Sequence, residues 1–242
     1  MNEPIDTIEK NGYTGEIYPN QDAESPREWD NVGIMICFHK RYSLGDKHDL
    51  KSNSFGGWEE VKEYLIKEMK AKIILPLYLY EHSGITISTT PFSCRFDSGQ
   101  VGFIYTTAEK IKEAYGVKHI TKKVLEKATK CLQGEVETYD QYLTGEVYGY
   151  KVFDEYGEEY DSCWGFYGDK TVREEIETEF EYLEKTKEER AVKHKKEMIE
   201  AYKNKLKYAI EELKKEGYSK TEIEAEVNKA YYENQKIEVK TR

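Results

Sequence analysis

Apolar positions recur along the chain with two different periods, and the change of period divides it into elements. VGIMICFH (32–39) is a short continuous apolar run with β-branched members and predicts a buried strand. KRYSLGDKHDLKSNSFGG (40–57) breaks the run with Gly, Ser, Asp and Asn and reads as a loop. Trp58, Val61, Leu65 and Met69 then fall at helical spacing. KIILPLYLYEH and GITISTT return to strand character, and the EHSG between them has turn chemistry, so a hairpin is predicted. Pro76 inside the first of these strands favours an edge or a bulge, because proline donates nothing to a ladder. PFSCRFDSGQ (91–100) is a second polar loop, and VGFIYTT (101–107) is a further strand.

Thr106 and Glu109 have capping-box spacing for a short helix that Gly116 ends. A longer helix starts near Thr121, with Val124, Ala128, Cys131, Leu132, Val136, Tyr139 and Leu143 on one face. Gly134 inside it costs about 1 kcal/mol relative to Ala, and Gly145 is placed to end it. EVYGYKVF and EEYDSCWGFYG flank a DEYG turn and read as a closing hairpin. Val172, Ile176, Phe180 and Leu183 form a new helical stripe after Thr171 and Glu174, another capping-box spacing. The stripe lapses through EKTKEERAVKHKKE and resumes with Met198, Tyr202, Leu206, Ala209 and Leu213. Gly217 is a stop, and Ser219 with Glu222 starts a last helix carrying Ile223, Val227 and Tyr231.

This pattern predicts an α+β fold, mainly antiparallel sheet with packed helices, followed by a charged helical hairpin or coiled-coil-like tail. Three regions are expected: a flexible N-terminal arm over 1–29, an α+β core over 30–169, and a helical tail over 170–242 that could pair with a second copy through 170–235. The arm is polar, contains Pro4, Pro19 and Pro26, and shows no clear period.

Charge alters the picture in one place. The chain carries a formal net charge of −10. Residues 1–133 are nearly balanced, and residues 170–242 balance fully. Residues 134–161 hold nine acids, six tyrosines and the single Lys151, for a net −8. A general nucleic-acid or membrane-surface binder would want the opposite sign. Four scattered cysteines without a CxxC read as reduced thiols. The first residues lack the basic and apolar regions of a secretory signal, and no apolar run approaches the roughly 20 residues of a membrane span. A cytoplasmic protein is expected.

Enzyme signatures are absent: there is no phosphate loop, GxGxxG, HExxH, GxSxG or calcium-binding loop. No cofactor or metal is expected, and a non-enzymatic protein is favoured. Cys37 and His39 share a strand face and could activate a thiolate, though a core cysteine beside a strand-end histidine is the plainer reading. His48 and Asp49 with His39 or His82 could in principle assemble a metal site, without any i, i+4 histidine pair to support it. Cys94, Arg95, Asp97 and Ser98 share a loop between two strands, where ligand pockets often form. A small-ligand or nucleotide-signal site, binding or cleaving, would therefore draw on His39, His48, His82, Asp97 and Ser98 in loops 39–49 and 91–100. Trp58 and Trp164 read as core aromatics, and His82 as a solvated turn residue.

The acidic block offers the other reading. Solvated faces usually mix signs, and this one should repel itself by tenths of a kcal/mol per close pair. Glu135, Glu137, Asp140, Tyr142, Glu146, Tyr148, Tyr150, Asp154, Glu155, Tyr156, Glu158, Glu159, Tyr160 and Asp161 would form a partner surface. Its carboxylates would stand in for phosphates, and its tyrosines would give rigid contact area to a basic protein or nucleoprotein complex. Direct nucleic-acid binding through this face is not expected.

Four strings carry a resemblance: DNVGIMICFHKRYSLGDKH, LPLYLYEHSGITISTTPFSCRFDSGQVGFIY, EVETYDQYLTGEVYGY and DSCWGFYG. Over about 30–168 the chain resembles a family of small proteins carried by bacteriophages and plasmids. The resemblance implies context and transfers no site residue. Small acidic proteins of mobile elements often block host defence by occupying nucleic-acid channels, as antirestriction and anti-CRISPR proteins do. By that analogy the expected function is inhibition of a host nucleic-acid-handling defence system.

Overall fold

The structure is a computed structural model that describes residues 3–94, 96–225 and 227. It has an α+β fold. The chain divides into two compact units, residues 1–180 and 181–242.

The first unit holds two four-stranded antiparallel sheets. Strands β1 (Asp6–Lys10), β2 (Tyr13–Pro19), β7 (Val147–Phe153) and β8 (Glu159–Tyr167) form one, in that spatial order. Strands β3 (Ile34–Cys37), β6 (Ser98–Thr107), β4 (Ala71–Glu81) and β5 (Ile85–Ser88) form the other, again in spatial order. The helices are α1 (Trp58–Lys67), α2 (Ala108–Tyr115), α3 (Lys122–Thr144) and α4 (Asp169–Lys215).

Within the expected flexible arm, residues 6–19 form the first hairpin. Asn11 and Gly12 both have positive φ, as a two-residue hairpin turn requires. Tyr13, Gly15 and Ile17 alternate inward and are buried. Their cover is the start of α4: Ile176 and Phe180 close over Gly15, and the Tyr13 and Phe180 rings lie 6.0 Å apart. A Cβ at Gly15 would stand 2.5 Å from Ile176, so the glycine permits that approach. Arg173 pairs with Asp6 at 2.6 Å, and Lys10 pairs with Glu177. The stripe Val172, Ile176 and Phe180, assigned above to the tail, therefore covers this sheet.

The second sheet lies between two helices. On one face α3 buries Leu132, Val136 and Tyr139 against Met35, Leu77 and Ile104. On the other, Val61 and Leu65 of α1 meet Ile36, Phe103 and Tyr105. Pro76 behaves as its chemistry demands. It pairs with Phe103 of β6, while β5 joins β4 only from Tyr78 onward, so no ladder bond is needed on the proline's other side. Thr121 caps α3 by accepting from the Val124 amide, and Gly145 ends it in the left-handed region. The short helix α2 is capped by Thr107, one residue later than the spacing suggested.

In the second unit α4 continues without a break through the charged stretch, helped by pairs such as Lys193–Glu197 at 3.8 Å, worth a few tenths of a kcal/mol each. Gly217 has φ +91 beyond its end. Ser219 and Glu222 then form the expected capping box, the Glu222 carboxylate accepting from the Ser219 amide at 2.8 Å. Tyr231 and the far end of the expected dimer segment 170–235 lie outside the described residues. Among the described residues no helix is long and apolar enough to cross a membrane.

Candidate functional site

Two polar loops meet at one end of the second sheet. The first leaves β3 at Cys37. The Phe38 amide donates to Val101 O at 2.8 Å, which holds the chain beside β6 for one more residue. The loop closes where Gly45 bridges back to Ile36. A Cβ there would stand 2.6 Å from Met35 O, and φ is +72, so glycine is required.

Asp46 fixes the base of this loop. Its Oδ2 accepts from the Met35 amide at 2.8 Å and from Arg27 Nη2 at 2.8 Å, and Oδ1 accepts from Arg27 Nε at 2.9 Å. Arg27 also reaches Glu135 at 3.2 Å and Gly33 O at 2.9 Å, with only 4% of its side chain exposed. Burial opposes its charge, but Asp46 and Glu135 outweigh that and hold the guanidinium pKa above its ordinary value.

His39 is oriented by its own loop. The Arg41 and Tyr42 amides both donate to Nδ1, at 3.3 and 3.2 Å. That nitrogen is therefore an acceptor and the ring hydrogen sits on Nε2. Nε2 stands 3.6 Å from Glu81 Oε2, and Arg41 pairs with the other oxygen of the same carboxylate. The Arg41 guanidinium also lies 5.3 Å from the centre of the Tyr42 ring.

The second loop runs into β6. Asp97 stands 3.6 Å from His82 Nδ1 and accepts from Cys94 Sγ at 3.6 Å, while the Ser98 hydroxyl bonds Cys94 O. The Glu81 amide donates to Asp97 O at 2.8 Å, which ties the loop to β4. Phe96 is 99% exposed at the rim. Arg95 lies outside the described residues.

Between the loops lies a cleft of about 470 Å³ walled by His39, Arg41, Glu81, Asp97 and Ser98. A second cleft of about 450 Å³ opens within the first loop, with Lys40, Lys47 and His48 in its wall. His39 and Arg41 line both. In a strongly acidic chain, residues 39–48 carry Lys40, Arg41 and Lys47 against Asp46 alone.

Of the five residues expected in a small-ligand site, His39, Asp97 and Ser98 thus share one cleft, and His48 lines its neighbour. His82 is solvent-exposed and reaches the cleft through Asp97. The Nε2 of His48 bonds Cys37 O at 3.0 Å, and its ring lies edge-on to Phe38. The metal reading does not assemble: among the described residues no three His, Cys, Asp or Glu side chains come together to hold an ion. The thiolate reading fails as well. Cys37 is buried, and burial, with the Asp46 charge added, pushes its thiol up to about 12. Arg41, Glu81, Lys47 and Phe96 were missed in the sequence. The HKR run at 39–41 in an otherwise acidic chain was the available signal.

The acidic block is dispersed. Glu135 lies under the N-terminal segment, where it accepts from the Val32 and Gly33 amides at 2.8 and 3.1 Å and pairs with Arg27. It is an internal anchor and not a surface group. Asp140 accepts from the Ile87 amide at 2.7 Å on the α3 side of β5. Tyr150 is buried and donates to Asp161 at 2.8 Å. Tyr142 packs on the core beside Tyr139, and Tyr148 is half-buried. Asp154 accepts from the Tyr156 and Glu158 amides and shapes the hairpin turn. Glu159 pairs with Lys151 at 2.7 Å. Glu137 and Glu146 are exposed on or just after α3, while Glu155, Tyr156, Glu158 and Tyr160 belong to the tip of the β7–β8 hairpin. A seven-residue strand separates that tip from Glu146 by roughly 20 Å.

Comparison with known families, curated proteins and solved structures finds no match to the chain.

Proposed function

We propose that the protein binds a small phosphorylated ligand of nucleotide size in the paired clefts. The observation that carries this reading is that loops 39–48 and 96–101 line two adjoining clefts that share His39 and Arg41. Each cleft falls within the usual size of small-molecule sites. Lys40 and Lys47 bring positive charge to one cleft and Arg41, beside Glu81, to both, and the His39 Nε2–H is a donor on the same wall. Phe96 offers an aromatic face at the rim. His39 with both backbone donors on Nδ1 is a poor proton shuttle, so binding is favoured over cleavage. Calorimetric titration with nucleoside mono- and triphosphates, cyclic dinucleotides and inorganic phosphate tests it. Arg41→Ala should weaken the best ligand about ten- to hundredfold, the range for a charged hydrogen bond. Absence of binding by every probe at millimolar concentration, or an unchanged affinity in Arg41→Ala, refutes the reading.

A second reading keeps the expected inhibition of a host defence complex, restricted to the tip of the β7–β8 hairpin. Tyr156 and Tyr160 are exposed there beside Glu158 and Glu159. Capture of a basic partner that survives Glu158→Lys with Tyr156→Ala, or that ignores salt, excludes it.

A further inference from the structure

The face of the first sheet turned away from α4 carries Glu9 of β1, Glu16 and Tyr18 of β2, Lys151 of β7, and Glu159 and Trp164 of β8, as the strand registers require. Sequence reading placed Trp164 in the core. It is 49% exposed and lies flat over Gly149. A Cβ at residue 149 would stand 2.1 Å from Trp164 Cε3, so only glycine lets the indole rest on the sheet. The Tyr18 ring lies 5.9 Å from it. The Tyr18 hydroxyl donates to Glu16, and that bond, then burial, then the Glu16 and Glu159 charges, push the phenol up to about 12. Glu16 therefore touches the ring pair through Tyr18, while Glu159 stands farther along the same face, beside Lys151. Lys151 answers Glu159 at 2.7 Å, and among the described residues no cation lies within salt-bridge distance of Glu16 or Glu9.

A supported indole, a second ring beside it and carboxylates at its margin are complementary to a guanidinium. The rings attract the cation through their faces, and the acids offer bidentate acceptors. Arginine suits this better than lysine, because its planar head stacks and is more weakly hydrated. A nucleobase could stack on the indole too, but a phosphate beside Tyr18 would meet Glu16. We infer that the Trp164–Tyr18 platform is a docking site for an arginine side chain of a basic partner protein. It is separate from the paired clefts and does not depend on them.

N-acetylated hexa-arginine and hexa-lysine amides are the probes, titrated into the full chain with 5-fluorotryptophan at Trp29, Trp58 and Trp164. Hexa-arginine should move the Trp164 fluorine signal and bind severalfold more tightly than hexa-lysine. By calorimetry, Trp164→Leu should weaken hexa-arginine about fivefold or more, and Glu16→Gln should weaken it in the same direction without disturbing the platform's packing. Glu137→Gln and Arg41→Ala should leave it unchanged. A peptide that binds without moving the Trp164 signal, equal affinity for the two peptides, or wild-type affinity in both Trp164→Leu and Glu16→Gln overturns the inference. Loss on Glu137→Gln equal to that on Glu16→Gln would also overturn it, by showing only diffuse attraction to an acidic protein.

Discussion

Replacing Arg27 by methionine removes one cation from between two largely buried acids. The guanidinium makes two bonds to Asp46, one to Glu135 and one to Gly33 O. Methionine fills much of the volume but leaves both carboxylates and one carbonyl without it. Asp46 keeps the Met35 amide, and Glu135 keeps the Val32 and Gly33 amides, so neither acid is stripped of all donors. Breaking a buried pair by deleting one partner typically costs about 3–5 kcal/mol, about a fifth or more of an ordinary domain's stability. The triple variant Arg27→Met, Asp46→Asn, Glu135→Gln should lose less than Arg27→Met alone, because it strands no charge. Urea unfolding followed by circular dichroism at pH 7 reads both losses. A loss below about 1 kcal/mol for Arg27→Met, or a triple variant no more stable than Arg27→Met alone, refutes the reasoning.

Asp140 gives a titration. Burial raises its carboxyl above the ordinary value of 3.8, with the Ile87 amide pulling the other way. A raised folded pKa means that this group's stabilising contribution is lost as pH rises through it, so Asp140→Asn, which keeps an acceptor, should flatten the stability profile just above pH 3.8; an unchanged profile counts against it. Gly102→Ala should lower the melting temperature by roughly 5–10 °C and weaken ligand binding, because a Cβ would stand 1.9 Å from Ile36 O and force β3, which leads into the His39 loop, away from β6; an unchanged melting curve refutes this. Alkylation by iodoacetamide at pH 8 should modify exposed Cys163 long before Cys37, and equal rates would show that the Cys37 thiol is not held protonated.

Much of the fold was legible because its elements are locally consistent. Helix α3 carries a capping threonine, an apolar stripe of period 3.6 and a terminal glycine, and all three agree. Hairpin β7–β8 was legible from its alternation and its DEYG turn. The first hairpin carried equally good marks, the Asn11–Gly12 dipeptide and the alternation of Tyr13, Gly15 and Ile17. They were outweighed by the polar prolines around them. What completes that hairpin is Ile176 and Phe180, some 160 residues away, which no local window can supply. The cleft was half legible for the same reason. Loop composition pointed to His39, Asp97 and Ser98, but Glu81 sits inside a good strand and joins the site only through the pairing of β4 with β6.

The charge block shows why density of like charge along a chain is a weak guide to density on a surface. Its acids alternate between strand faces and helix faces, and each face has its own neighbour. Glu135 meets Arg27, which lies 108 positions earlier, and becomes an internal support for the loop that holds His39. Asp161 turns toward Tyr150 under α4, while Glu159 turns to the opposite face and pairs with Lys151, the register partner of Glu16 in β2. Glu16 and the Tyr18 phenol, both outside that block, do come together on the outer face of the first sheet. The ring that anchors them is Trp164, read in the sequence as core, and two of the acids come from the segment read as a loose arm. Side-chain direction at each strand position decided the grouping, and the register that sets it is fixed only when β2 pairs with β7 and β7 with β8.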